Sequence, residues 1–293
     1  MNYSIADFIL RTEGAHNNLV ECGLNGFKPF EIEGDCDIEP TMVLRMDSPV
    51  SDSTHPVTKS IHAFEFEQEY ATGELARYAE GYRFSMCRNG ETFILVKKDG
   101  SNIVESNLGA VTEVNPSLIR FGLWIMFGIV IAPLGAIAIH SSVAVKEHQG
   151  VLCLGESGTG KSTHTRLWRE NIEGAKLLND DSPIIRMIDG ECRVYGSPWS
   201  GKTHCYVNKW VPVRGLIRLS QAPHNRIHRL PALSAIGAVL PSCPPAFAYD
   251  NTLQDHICNT VSDILSCTPV YHLECLPNRE AAELSYNTII ANE

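Results

Sequence analysis

A chain of 293 residues, 44% of them apolar, can bury the core of one large domain or two modest ones. A formal charge of −10 argues against a general nucleic-acid binder, which would carry a basic face, but leaves room for anionic ligands where helix starts and lysines reverse the field locally. Ten cysteines form no C-x-x-C pair, and the start "MNYSIADFIL" lacks a basic segment followed by a long apolar run, which together predict free thiols in a reducing cytoplasm.

Residues 1–112 read as a β-rich domain. "YSIADFIL", "IHAFEFE", "YRFSMCR", "TFILVKK" and "NIVESN" are short, β-branched or aromatic, and partly alternating. "RNGE" at 88–91 and "KDGS" at 98–101 are hairpin turns, so an antiparallel meander is predicted, with "MDSPVSDSTHP" at 46–56 as an exposed loop.

The pattern changes near 113. Residues 121–139, "FGLWIMFGIVIAPLGAIAI", are uncharged and long enough to cross a bilayer. Pro133 and Gly135 divide them, however, into a buried helix, "SLIRFGLWIMFGIVIA", and a strand, "GAIAIHSSVAV", so no membrane partner is expected. A turn at "EHQG" leads to the apolar run "VLCLGES", the helix "KSTHTRLWREN" and the short strand "GAKLLNDD". "ECRVYGSP" and "VRGLIRLS" read as strands, "DNTLQDHICNTVSDILSC" as a helix, "PVYHLEC" as a strand and "NREAAELSYNTII" as a last helix begun at Pro277 and Asn278. Residues 113–293 are therefore predicted to form a second, mixed α/β domain.

Gly155, Gly160, Lys161 and Ser162 match the spacing G-x-x-x-x-G-K-[ST] between an apolar run and a helix. Glycines let the backbone wrap tightly and aim N–H groups at phosphate oxygens, and the helix start adds its positive dipole end. Gly155, Glu156, Ser157, Gly158, Thr159, Gly160, Lys161, Ser162 and Thr163 are thus candidate ATP-binding residues, with Lys161 bridging the β- and γ-phosphates and Ser162 holding Mg²⁺. One helix further on, Asp180 and Asp181 follow a short strand. In a parallel α/β sheet, strand C-termini share an edge, so one carboxylate can hold Mg²⁺ and the other can take a proton from an attacking hydroxyl. Asp181 is assigned to the metal and Asp180 to the proton.

"GESGTGKS", a helix, and a strand ending "LLNDD" resemble HPr kinase/phosphorylase and ATP-dependent phosphoenolpyruvate carboxykinase, over about residues 115–290. The resemblance implies an α/β P-loop kinase core of that type, preceded by a smaller β-rich domain. It implies an ATP- and Mg²⁺-dependent transfer to a hydroxyl: a serine of a protein or peptide, or a small alcohol. It also gives His140, on the strand before the loop, a catalytic place beside the aspartate. Thr163 stands where HPr kinase has glutamate, and its E-I-R-G-L-G signature is met only by "PVRGLIR", with Pro212 in the glutamate's place. Residues 1–112 do not resemble the regulatory domain of those enzymes. Alternatives are decarboxylating carboxykinase chemistry and an ATP-gated peptide-binding module without turnover; a homo-oligomer is compatible with each.

"GSPWSGKTH" at 196–204 reads as a loop on the catalytic edge with an exposed Trp199 and with Lys202 able to neutralise phosphoryl charge. Arg214, Arg218, Arg226, His228 and Arg229 could form an anion-binding face but read first as alternating charges that face water on a strand edge, and Arg166 and Arg169 read as surface charges.

Overall fold

Short β-branched and aromatic runs build the first of two units, residues 1–134 with 246–251; the second holds 135–245 with 252–293. The computed structural model describes residues 1–14, 17–34, 38–110, 115–201 and 203–291. The first unit's strands are β1 (Asn2–Ile5), β2 (Phe8–Glu13), β3 (Glu31–Ile32), β4 (Met42–Arg45), β5 (Lys59–Phe66), β6 (Ala71–Tyr78), β7 (Gly81–Arg88), β8 (Glu91–Lys98) and β9 (Ile103–Ser106), in one sheet of order β3-β1-β2-β4-β9-β8-β7-β6-β5. From β5 to β9 it is the expected antiparallel meander, while β4 lies parallel to β2 and β9. Asn89 and Gly90 both take positive φ, as a tight hairpin of right-handed twist requires. "YSIADFIL" is not one strand: Ala6 and Asp7 also take positive φ, 53° and 62°, and fold it into the β1–β2 hairpin.

Helix α1 (Pro116–Ile131) starts at Asn115, whose side chain accepts the Ser117 N–H at 2.9 Å, with Pro116 at the first helical position. The helix is long and apolar enough to cross a membrane, yet most of it is buried. It packs on the first unit's sheet, where Phe121 meets the rings of Phe64, Phe66 and Phe84. Gly122 permits that approach, because a Cβ there would lie 2.8 Å from Leu95 Cδ1. The helix expected to open the second domain thus belongs to the first, since its apolar faces find their cover there. The predicted boundary at 112 falls outside the described residues.

The second unit comprises β10 (Ala136–Ala138), β11 (Ser141–Lys146), β12 (Gln149–Leu154), α2 (Lys161–Asn171), β13 (Lys176–Asp181), β14 (Ile184–Ile188), β15 (Glu191–Tyr195), β16 (Trp210–Gln221), β17 (Arg226–Arg229), α3 (Ala232–Val239), α4 (Asn251–Cys267), β18 (Val270–Cys275) and α5 (Arg279–Tyr286). Its sheet runs β13-β11-β12-β16-β18, with β17 pairing β18; β12, β16 and β18 are parallel neighbours. The first residues of β16 pair instead with β15, opening an arm that continues to β14 and β10. "GAIAIHSSVAV" therefore divides between the arm and the main sheet, with His140 at the crossing. The aspartate strand does not adjoin the loop strand. β11 lies between them, antiparallel to both, so β12 and β13 still run the same way and end at one edge. One face is sealed by an apolar core of Val151, Cys153, Ile217 and Leu273 with Trp168 of α2 and Ala282 of α5. Within it, Trp168 Nε1 donates to Ser285 Oγ at 2.9 Å, and His164 Nε2 meets the same hydroxyl at 2.9 Å.

Candidate functional site

The segment between β12 and α2 is shaped by its glycines. Gly155 has φ 153°, and a Cβ there would collide with the Thr159 side chain; Gly158 and Gly160 have φ 83° and 106°. Gly160 is also the N-cap of α2 and brings no side chain to its N–H groups, so the first turn presents unpaired donors and the positive end of the helix dipole. Lys161 folds back over the loop, donating to the carbonyls of Gly155 at 2.7 Å and Glu156 at 3.1 Å. Desolvation holds its ammonium pKa below the ordinary value, with Arg218 adding to the shift and Asp181 and Asp180 opposing it. Ser162 follows on the exposed side of the first turn.

Register carries the aspartates to this loop. Ser141 pairs with both Leu154 and Asp181, and Ser142 with both Cys153 and Asp180, so two rows cross the three strands at the residues just before Gly155. Ser142 Oγ lies 2.7 Å from Thr165 Oγ1 on α2, which marks the Asp180 row as the one facing that helix. Asp180 is 5% exposed, and among the described residues nothing donates a hydrogen bond to its carboxylate. The buried Ser141 hydroxyl likewise has no hydrogen-bond partner among the described residues. Asp181, on the opposite face, has Oδ1 3.7 Å from His140 Nε2. The imidazole pKa is lowered, first by burial and then by Lys161, with Asp181 pulling the other way.

The loop at 196–204 closes over the same strand end. The Gly201 N–H donates to the Asp180 carbonyl at 2.7 Å, a contact so close that a Cβ at Gly201 would lie 2.7 Å from that oxygen. Trp199 is buried rather than exposed, its carbonyl accepting from Asn179 Nδ2 at 3.2 Å, because the loop packs down onto β13. Lys202 lies outside the described residues. Arg218 was read as a charge facing water. It stands opposite Leu154 in the β12–β16 register, and its guanidinium reaches Glu156 Oε1 at 3.4 Å, so it borders the phosphate loop. Arg214 instead donates to the Ile289 carbonyl at 3.3 Å, while Arg226, His228 and Arg229 are exposed on β17. Arg166 pairs with Glu170 at 2.8 Å on the exposed face of α2, where Arg169 is also exposed.

Beside Gly158 and Gly160 lies a cavity of about 580 Å³ with walls of Leu167, Leu219, Ala222, Pro223, Leu276 and Pro277. Gln221 fastens its rim by donating to the Gly158 carbonyl at 3.3 Å. The size and apolar lining suit a flat ring system. Sequence reading missed this cavity, since its walls come from three segments brought together by β12–β16 and β16–β18 pairing. Open loop donors, a lysine and an adjoining apolar cavity fit a nucleotide. A hydroxyl at the helix start and a buried carboxylate with no donor among the described residues are oxygen ligands of the kind that Mg²⁺ takes.

No protein-family model matches the chain, and no curated protein matches it. Among solved structures it is similar to the HPr(Ser) kinase/phosphatase from Coxiella burnetii, with 16% identity and a TM-score of 0.31 over 52% of this chain and 87% of that one.

Proposed function

We propose that the second unit is an ATP- and Mg²⁺-dependent phosphotransferase acting on a hydroxyl acceptor, a serine of a protein or peptide or a small alcohol. The observation that carries this reading is the double row Leu154–Ser141–Asp181 and Cys153–Ser142–Asp180, which sets two carboxylates of different surroundings beside a lysine-bearing glycine loop. In this reading the loop N–H groups, the α2 dipole and Lys161 hold the phosphates, and the base enters the apolar cavity.

Asp180 and Ser162 are the residues that would hold Mg²⁺, which would supply neutralisation of charge on the transferring group. Asp181 takes the proton of the acceptor hydroxyl as the new O–P bond forms and ADP departs. This exchanges the roles expected from spacing alone. Support for the exchange comes from the α2-facing side of Asp180, the side of Ser162, and from the His140 ring against Asp181. Burial and Lys161 favour the neutral form of His140, whose Nε2 stands 3.7 Å from the Asp181 Oδ1 that takes the proton in this reading. Arg218 adds positive charge at the rim.

Lys161→Ala tests the reading: phosphoryl transfer should vanish and ATP affinity should drop at least tenfold by calorimetry, with the far-UV circular dichroism unchanged. Wild-type ATP affinity in that variant would end the nucleotide-site reading.

A further inference from the structure

We propose that His228, His272 and Glu274 form a transition-metal site, of the kind that takes Zn²⁺, on the sheet face away from α2 and α5. The juxtaposition follows from strand pairing. β17 runs antiparallel to β18 with His228 directly opposite His272, and β16 runs parallel to β18 with Ser220 opposite Glu274. Leu273 turns into the α2–α5 core and Ile227 packs against it, so strand alternation sends His228, His272 and Glu274 to the other face together. One ligand atom from each of the three lies within 4.8 Å of the other two.

The chemistry of the donors selects the ion. Two imidazoles and one carboxylate are a borderline-soft set suited to Zn²⁺, whereas Mg²⁺ and Ca²⁺ take oxygen alone. Tetrahedral zinc with bonds of about 2.0–2.1 Å needs its ligand atoms about 3.3 Å apart. The three ligand atoms are within 4.8 Å of one another, so binding would draw them together by up to about 1.5 Å through side-chain rotation, for which His228 is exposed and His272 and Glu274 are half-buried. The Ser220 hydroxyl, 2.8 Å from His272 Nε2, fixes the ring's rotation, as the hydrogen-bond partner of a metal-bound imidazole does, and leaves Nδ1 for the ion. A fourth donor stands in the connection between β16 and β17: His224 Nε2 is 3.9 Å from Glu274 Oε1. That same connection carries Ala222 and Pro223, which wall the apolar cavity, so a metal here would brace that wall. The site does not depend on the nucleotide reading, because none of its ligands belongs to the glycine loop or the aspartate rows.

The test uses the full chain freed of metal by chelation and titrated with ZnCl₂ in a calorimeter, without nucleotide. One Zn²⁺ per chain is expected. His228→Ala and Glu274→Gln should each weaken it at least tenfold, since both change side chains that the fold leaves partly exposed. Co²⁺ should give a tetrahedral visible band in the wild type that both variants lose, and Zn²⁺ should raise the melting temperature of the wild type alone. A wild type that binds no stoichiometric Zn²⁺, or two variants that bind it as the wild type does, would overturn the proposal.

Discussion

Asp250 in the first unit and Asp180 in the second are equally buried, at 6% and 5% exposure. Asp250 receives the Tyr82 hydroxyl at 2.8 Å and faces Arg77 Nε at 3.5 Å, while the Arg77 guanidinium stacks on the Tyr82 ring. Asp180 receives no donor from the described residues. A carboxylate out of water is tolerated when it is paired, and costs stability when it is not. The Asp250 charge is satisfied within its own unit. At one edge of the second unit's sheet stand the Asp180 carboxylate, the buried Ser141 hydroxyl and the start of α2, without a hydrogen-bond partner among the described residues for the two side chains. In the proposed reading a ligand supplies that partner, and the contrast between the two aspartates is what the predictions test.

The largest effect should come from breaking the second side. Asp181→Asn should lower transfer by about two to four orders of magnitude, the usual worth of a positioned base, with ATP affinity nearly unchanged. Asp180→Asn should instead weaken Mg²⁺ dependence and nucleotide binding together. Mg²⁺ titrations of ATP binding beside single-turnover transfer decide between them. Exchanged phenotypes would restore the roles expected from spacing, and two fully active variants would leave the D-D pair as no more than the end of strand β13. Breaking the first side should cost folding. Phe84, fully buried against Phe64 and Phe121, should cost about 3–5 kcal/mol on truncation to alanine in urea unfolding, with the native fraction binding ATP as before. A fragment beginning at residue 113 sharpens the same contrast. It carries α1 without the β7–β8 surface that covers it, and should be found in the insoluble fraction.

The parts of this arrangement that sequence reveals are those written within a few residues. The glycine spacing, Lys161 and Ser162 sit in one turn, and the strand ending in Asp180 and Asp181 lies one helix away. Hairpins announced by Asn-Gly were legible, but Ala6–Asp7 was not, because neither residue signals positive φ. Arg218 and the apolar cavity escaped because their value depends on which strand lies beside which: an alternating charge pattern reads the same whether it faces water or Glu156. The allegiance of α1 escaped for a similar reason, since an all-round apolar helix names no partner. His272 and Glu274 share one strand, but His228 lies too far from them along the chain to suggest a cluster, and only the β17–β18 register brings it to them.

His164 offers a smaller, pH-dependent test of the second unit's scaffold. Burial pushes its pKa from 6.5 down to about 4. A depressed folded pKa means that the unfolded chain takes the proton first, so this contribution is complete above about pH 6.5 and is lost as pH falls towards 4. The drop across that window is on the order of 3 kcal/mol. His164→Gln keeps a polar group for Ser285 but cannot titrate, so its melting temperature should fall less between pH 7 and about pH 4.5 than that of the wild type. Parallel curves would remove His164 from the acid response.

The smallest effect is also the one whose contrast matters most. Asp250→Asn replaces a charged acceptor for Tyr82 and Arg77 by a neutral one, and should cost about 1.5 kcal/mol, as loss of a charge-assisted hydrogen bond does. Asp180→Asn makes the same chemical change at the same burial with no hydrogen-bond donor among the described residues to lose, only the charge attraction of Lys161, so it should leave stability nearly unchanged in the absence of Mg²⁺. Urea midpoints of both variants, measured with chelator present, give the comparison directly. Adding Mg²⁺ and ATP should then set the wild type above Asp180→Asn, since only the wild type gains the bound-state stabilisation. If Asp180→Asn instead loses as much as Asp250→Asn with chelator present, Asp180 is held by the fold after all, and its buried carboxylate is scaffold rather than site.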